Sequence, residues 1–267
     1  MADWREGCVV GVDIGSTTTK AVAFSKEGYL KGPLMPTGAV PEKAGRAAVE
    51  GLATVAGIPF EAIQFTVATG YGRLLASASG FADKVISEIS CHATGAFYLN
   101  PRTRLIVDIG GQDSKGIGLT AAGVVENFVM NDKCAAGTGR FLEEMAELLG
   151  YELDEIGEVS LRSESPCEIS STCTVFAETE VHALTTARKR PEDILAGLHK
   201  AVAKRVAAMV KALGVREEAV FTGGVSKNRG VVKWLEERLG MAFTPLPDDP
   251  QYAGALGAAV LGFRLRQ

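Results

Sequence analysis

The sequence predicts an α/β protein made of two related halves, each opening with a three-stranded antiparallel meander. Three observations carry that expectation. The run Val12-Asp13-Ile14-Gly15-Ser16-Thr17-Thr18-Thr19-Lys20 returns 95 positions later as Val107-Asp108-Ile109-Gly110-Gly111-Gln112-Asp113-Ser114-Lys115, and Gly28 returns at the same offset as Gly123, so the repeat spans two successive turns. Helix-spaced apolar residues follow each meander. The composition, 46% hydrophobic and 22% charged over 267 residues with 31 glycines, is that of a folded chain large enough for one big domain or two modest ones.

In chain order, the first half reads as strand 8–14, strand 21–24, a turn at Lys26-Glu27-Gly28, and strand 29–34, the glycine suiting a tight turn between strand-like runs. A helix is expected over 87–99. The second half repeats the scheme with strands 105–109, 116–119 and 124–130, turning at Ala121-Ala122-Gly123. Helix 140–149 places Phe141, Leu142, Met145, Leu148 and Leu149 on one face and stops at Gly150. Pro191 suits a first helical turn, Glu192 and Asp193 complement the dipole, and Ile194, Leu195, Leu198, Val202, Val206, Met209, Val210 and Leu213 recur at helical spacing before Gly214, which gives a helix over 191–213. Strand 219–222 leads through Gly223-Gly224 to helix 228–239, ended by Gly240. A last helix over 252–266 is rich in small residues on the side that must pack closely. The expected division is residues 1–100 and 101–251, with 252–267 packing back on the first part.

Charge and cysteine usage narrow the function classes. Lys plus Arg is 28 against Asp plus Glu at 32, net −4, which argues against a nucleic acid or an anionic membrane as partner. The opening Met1-Ala2-Asp3-Trp4-Arg5-Glu6 carries acids where an export signal has a basic start and an apolar run, and the uncharged stretch 253–263 is too short to span a bilayer. Five cysteines, an odd number spread over the chain, suit reduced thiols in a cytoplasmic protein.

A strand that ends in Asp and turns through Gly and hydroxyls is suited to phosphate. Gly15 lets backbone approach a ligand, consecutive turn N–H groups make an anion-binding concavity, and Ser16, Thr17 and Thr18 add donors. Gly110 and Gly111 repeat that design. Asp13 and Asp108, at the strand ends, would hold hydrated Mg²⁺ between themselves and the phosphates, and Lys20 adds positive charge if the turn curls back. One D-I-G alone would be an ordinary hairpin boundary; two in the same strand-turn-strand frame are more than that. Neither turn has the Walker or dinucleotide spacing. Gly223 and Gly224, between a strand and a helix opened by Asn228, leave room for a nucleoside against the backbone.

With these three motifs the chain resembles the acetate and sugar kinase, heat-shock-protein and actin superfamily. The runs Met130-Asn131-Asp132-Lys133-Cys134-Ala135-Ala136-Gly137-Thr138-Gly139-Arg140-Phe141-Leu142-Glu143 and Ser170-Ser171-Thr172-Cys173-Thr174-Val175-Phe176-Ala177-Glu178-Thr179-Glu180 are similar to one branch of it. That branch is the ATP-dependent activators of 2-hydroxyacyl-CoA dehydratases and the related ATPase subunits of benzoyl-CoA reductases. The resemblance covers nearly the whole chain. It implies two ribonuclease-H-like subdomains in an actin-like ATPase fold, with ATP or ADP and Mg²⁺ in the cleft between them. By motif position it places Asp13 and Asp108 on Mg²⁺ and water, Gln112 on the attacking water, Ser16, Thr17, Thr18 and Lys20 on phosphates, Gly137, Thr138 and Gly139 near the nucleotide, and Gly223, Gly224 and Asn228 on the adenosine side.

Cys134 and Cys173, 39 positions apart, each precede a helix-like segment, where the dipole favours a thiolate and an anionic cluster. A 4Fe–4S cluster takes four cysteines, and the remaining three form no compact ferredoxin-like pattern. Two-fold symmetry answers this: one cluster held by Cys134 and Cys173 from each of two identical subunits. The resemblance implies the same arrangement. Cys8, Cys91 and Cys167 read as buried small hydrophobes, with Cys167 the second choice as a ligand. The expected function is ATP-driven transfer of one electron, from ferredoxin or flavodoxin, to a partner metalloenzyme, with a 2-hydroxyacyl-CoA dehydratase, a benzoyl-CoA reductase and a double-cubane cluster protein all compatible; a paralogous rather than identical second subunit stays open. A small-molecule kinase of the same superfamily and a non-catalytic iron–sulfur sensor are the other classes.

Overall fold

The computed structural model describes residue 4 and residues 7–169 and 173–267. The acidic opening read above, apart from Trp4, and the Ser170-Ser171-Thr172 stretch before Cys173 lie outside the described residues. The chain divides into two units, one of residues 1–104, 119–126 and 246–267, the other of residues 105–118 and 127–245.

In the first unit the meander is present. Strand β1 (Cys8–Ile14) pairs antiparallel with β2 (Thr18–Ser25), from Val9 opposite Phe24 to Ile14 opposite Thr19, and β2 pairs antiparallel with β3 (Gly28–Lys31). The third strand stops at Lys31, short of the expected 34, because Pro33 has no N–H to offer the ladder; a short β4 (Met35–Pro36) then rejoins β2. On the other side of β1 lie β5 (Ile63–Thr69) and β6 (Lys84–Val85), both parallel additions, giving the order β3-β2-β1-β5-β6.

Period-2 alternation sends β2 to two cores. Ala21 and Ala23 join Ile14, Ala48, Val49 and Leu52 under α1 (Pro41–Ala56). Val22 and Phe24 face the opposite way, onto Tyr252, Ala255, Leu256 and Ala259 at and within α9 (Ala253–Leu265). The small α2 (Arg73–Ala78) follows β5, and α3 (Glu88–Leu99), capped by the Ser87 hydroxyl on Ser90 N–H, packs across α9. Glycine sets that crossing. A Cβ on Gly257 would stand 1.8 Å from the Cys91 carbonyl oxygen, one on Gly95 1.9 Å from that of Ala253, and one on Gly11 of β1 2.1 Å from that of Ala255. The small-residue side of the last helix is therefore in backbone contact with both α3 and β1.

In the second unit β7 (Leu105–Ile109) and β8 (Ser114–Leu119) form a hairpin from Leu105 opposite Gly118 to Ile109 opposite Ser114. β9 (Val125–Asn131) extends it at the edge, and β10 (Ala219–Thr222) runs parallel to β7, placing Thr222 beside Asp108, in the order β10-β7-β8-β9. The helices are α4 (Gly139–Leu149), α5 (Ile156–Ser160), α6 (Thr174–Thr186), α7 (Pro191–Leu213) and α8 (Arg229–Leu239). One core joins Val107 and Ile109 of the sheet to Phe141, Leu142 and Met145 of α4, Leu198, Val202 and Val206 of α7, and Leu235 of α8. Among the described residues no helix is long and apolar enough to cross a membrane.

Candidate functional site

The two repeated turns carry the same device at their base. In the first, Asp13 and Lys20 are register partners across the hairpin, so both side chains leave the sheet on one face, and Lys20 Nζ lies 2.6 Å from Asp13 Oδ2 with both groups buried. The carboxylate is walled by backbone: a Cβ on Gly70, whose φ is +82°, would stand 2.4 Å from Asp13 Oδ1, and one on Gly254 2.9 Å from Oδ2. Above it Gly15 N–H donates to the Thr18 carbonyl at 3.1 Å, closing the turn. Thr37 secures it from outside: its hydroxyl donates to the Gly15 carbonyl at 2.8 Å and its N–H to the Thr17 carbonyl at 2.9 Å. That spends the Thr37 proton, so the 2.8 Å contact between the Thr19 and Thr37 hydroxyls has Thr19 as donor. Ser16 and Thr18 are half-buried and Thr17 exposed, at the rim of the turn.

In the second turn Asp108 and Lys115 are the register partners. Lys115 is 2% exposed, and its Nζ donates to Asp108 Oδ2 at 3.2 Å and to Asp113 Oδ1 at 2.7 Å. The other Asp108 oxygen accepts the Thr222 hydroxyl at 2.7 Å. A lysine this buried is tolerated only when paired, and here two carboxylates meet it. Gly110 N–H donates to the Asp113 carbonyl at 2.9 Å, and Gln112 projects outward, exposed. Gly223 has φ +83°, and a Cβ there would stand 2.3 Å from the Ile109 carbonyl oxygen and 3.0 Å from Asp108 Oδ1. Only glycine fits that bend. Gly224 beyond it is exposed.

The cysteine run meets this turn directly. Half-buried Cys134 precedes a 3-10 turn, Ala135–Gly137, and its carbonyl accepts Asn131 Nδ2 at 2.9 Å. Thr138 is fully buried and donates its hydroxyl to the Ala135 carbonyl at 2.7 Å; Gly137 is covered by the Arg205 side chain, 3.1 Å from a Cβ placed there. Helix α4 then opens with Gly139 N–H donating to the Gly110 carbonyl and Arg140 N–H to the Gly111 carbonyl, each at 2.8 Å. The structure thus brings Gly110, Gly111 and Gly139 into one cluster, and Gly223 against Asp108. Asn228 opens α8, its Oδ1 accepting Val231 N–H at 3.0 Å. Exposed Cys173 stands at the N-cap of α6. Burial pushes the Cys8 thiol up to about 11 and the Cys91 thiol to about 12, and raises that of Cys167. None of the five cysteines is in a disulfide. Among the described residues, no group of three or more His, Cys, Asp or Glu side chains is placed to hold a metal ion.

Lys115, Asp113, Thr222, Thr37 and Gly70 are site residues that the motifs alone do not single out. The offset of 95 does align Lys115 with Lys20, and hairpin register would have placed each opposite its aspartate.

The family model described as the BadF/BadG/BcrA/BcrD ATPase family matches residues 10–262. The chain belongs to that family. The 2-hydroxyisocaproyl-CoA dehydratase activator of Clostridioides difficile is 44% identical over 255 residues, covering 95% of this chain and 94% of the relative. A benzoyl-CoA reductase subunit of Thauera aromatica is 35% identical, over 94% and 92% of the two chains. The solved structure of the Clostridium difficile activator with bound ADPNP superposes with a TM-score of 0.90 at 43% identity, over 97% of this chain and 95% of that one. As a member of the BadF/BadG/BcrA/BcrD ATPase family, the chain has the expected α/β architecture of the actin-like ATPase fold, with its two repeated meanders.

Proposed function

We propose that this chain is an ATPase whose hydrolysis drives one electron, received from ferredoxin or flavodoxin, onto a partner metalloenzyme such as a 2-hydroxyacyl-CoA dehydratase or benzoyl-CoA reductase. In this reading two identical chains share one 4Fe–4S cluster. The observation that carries it is the pair of backbone bonds from Gly139 and Arg140 to Gly110 and Gly111. They tie the turn suited to phosphate to the start of α4, five residues after Cys134, so a change at the turn is passed to the thiol through rigid, hydrogen-bonded chain.

The donor set suits such a cluster. Of Cys134, Cys167 and Cys173, the three thiols that are not buried, Cys134 and Cys173 each stand at the start of a helical turn, where the peptide dipoles favour an anion. One chain offers two such thiols, so a cluster held by four thiolates draws on two chains. When bound, the cluster supplies a centre that takes up and gives off one electron. The chain's residues do the rest. Gly15 and Gly110 shape the phosphate turns, with Ser16, Thr17, Thr18 and Lys20 supplying donors. Asp13 and Asp108, each bonded to its own lysine, suit a cation held through water better than one bound directly. Exposed Gln112 orients the attacking water, and phosphoryl transfer to water asks for positioning and charge stabilisation more than for a nucleophile.

Coupling is needed on energetic grounds. Each ~59 mV uphill for one electron is a tenfold penalty, so a gap of ~300 mV costs about 7 kcal/mol. Binding energy meets that cost only if ATP distinguishes two conformations.

The test is protein purified without oxygen. Cys134→Ser and Cys173→Ser each lose the iron and its visible absorption, while a fluorescent ATP analogue binds within about twofold of the parent. A metal-free, colourless monomer, or unchanged iron in both variants, overturns the reading.

A further inference from the structure

His199 lies on α7 with no exposed surface, and no motif names it. Its Nε2 is 3.2 Å from Asn228 Nδ2. The direction of that bond follows from the far side of the amide. Asn228 Oδ1 accepts Val231 N–H as the cap of α8, so the amide N–H₂ faces the ring and Nε2 is the acceptor. The ring proton therefore sits on Nδ1, and burial, which pushes His199 down to about 3, keeps the ring neutral.

Nδ1 has no hydrogen-bond partner. It points at Gly230, where a Cβ would stand 2.4 Å from it and 2.3 Å from Ser160 Oγ. The Ser160 proton is spent on the Gly157 carbonyl, 2.7 Å away. A buried donor left unpaired is unfavourable and uncommon. Leucine would fill the volume without that penalty, so what the imidazole adds is the acceptor offered to Asn228. Asn228 is hemmed in on its other side by Gly157, where a Cβ would stand 3.1 Å from its Oδ1. Its N–H donates to the Val225 carbonyl at 2.9 Å, closing the 3-10 turn Gly224–Lys227 that follows Gly223.

We infer that His199 is a positioning residue for the nucleoside side of the ATP site: by accepting from Asn228 it locks the Gly223–Asn228 turn in one conformation. This deepens the ATP reading and rests on it. His199 itself touches no ligand; its effect passes through Asn228 to the turn. The effect therefore falls on ligands that carry a nucleoside, and not on those that are phosphate alone.

Two polar variants separate position from bulk. In His199→Gln the side-chain oxygen stands where Nε2 was, and the acceptor is kept. In His199→Asn the amide reaches only as far as Nδ1, and the acceptor is lost. Steady-state ATP hydrolysis, binding of MgATP and of Mg-tripolyphosphate, and melting without nucleotide are measured for both and for the unaltered protein. His199→Asn is expected to raise KM for ATP and weaken MgATP binding by about tenfold, roughly the effect of one hydrogen bond. Its kcat and tripolyphosphate binding should stay within about twofold. His199→Gln should keep the KM of the unaltered protein even if it melts earlier. Equal losses in the two variants, equal losses for the two ligands, or a lowered melting temperature of His199→Asn with its KM unchanged would overturn the inference while the ATP reading stands. Failure of the unaltered protein to bind MgATP would overturn that reading and the inference with it.

Discussion

Replacing Lys115 with Met tests the buried cluster at the second turn. The substitution keeps the length of the side chain and removes the ammonium that Asp108 and Asp113 share at 3.2 and 2.7 Å. Breaking a buried ion pair by deleting one partner costs about 3–5 kcal/mol, because the remaining charge is stranded. Here Asp108 keeps the Thr222 hydroxyl and the Asp113 side chain is 25% exposed, so the lower end, about 3 kcal/mol, applies. With a urea slope of about 1–3 kcal/mol per molar for a unit of this size, the midpoint falls by about 1–3 M. The chain has two tryptophans; Trp234 lies on α8 of the same unit, so its fluorescence in a Trp4→Phe background reports that unit. Arg140→Ala is the control. Its pairs with Glu143 and Glu144 are exposed and such pairs contribute about 0–1 kcal/mol. A midpoint loss for Lys115→Met no larger than for Arg140→Ala would refute the claim that the lysine is held as a buried charge.

Two further outcomes follow from geometry and burial. Gly257→Ala must push α9 off α3, since the new methyl would stand 1.8 Å from a backbone oxygen; overpacking typically costs about 1–3 kcal/mol and more where backbone has to move. Gly240→Ala, at φ +71° in open space, costs only the left-handed strain of about 1–2 kcal/mol, so equal melting temperatures would disprove the close crossing. His199 supplies a pH dependence. Its folded pKa of about 3 lies below the ordinary 6.5, so between those values the unfolded chain binds a proton that the folded chain refuses. Stability is complete above about pH 6.5 and falls on acidification by about 1.4 kcal/mol per unit from this ring. His199→Gln should lose stability less steeply between pH 6 and 4, and parallel pH profiles would count against the assignment.

The parts legible in the sequence were those where local chemistry and tertiary packing agree. Pro191, the acids after it and Gly214 delimit α7 at both ends, and the two D-I-G hairpins follow from alternation and glycine. Residues 35–86 gave no assignment, although α1 carries the signals that delimit α7: Pro41 in its first turn, Glu42 after it and Gly57 at a left-handed C-cap, over a buried face of Gly45, Ala48, Val49, Leu52 and Ala53. β5 is a parallel strand inserted beside β1, and no neighbouring turn announces such a pairing. In the second meander β8 begins at Ser114 rather than 116 because Asp113 and Lys115 carry the turn's own bonds. At the site, the glycines and aspartates could be read from the repeat, whereas Thr222, Gly70 and His199 are brought in from distant positions by β10, β5 and α7.

The first unit is assembled from segments far apart in the chain. Val22 and Phe24 on β2 wait for Ala255, Leu256 and Ala259 on α9, and Gly11 waits for the same helix. A ribosome adds about 5–20 residues per second, so one oily side of that sheet stays bare for on the order of ten seconds or longer after it is made. Helix α9 is rich in alanine and glycine and shows little stripe of its own, yet it is the piece that ends this exposure. Nascent chains arrested just short of residue 253 should accordingly be held by chaperones, and those extended past residue 265 released.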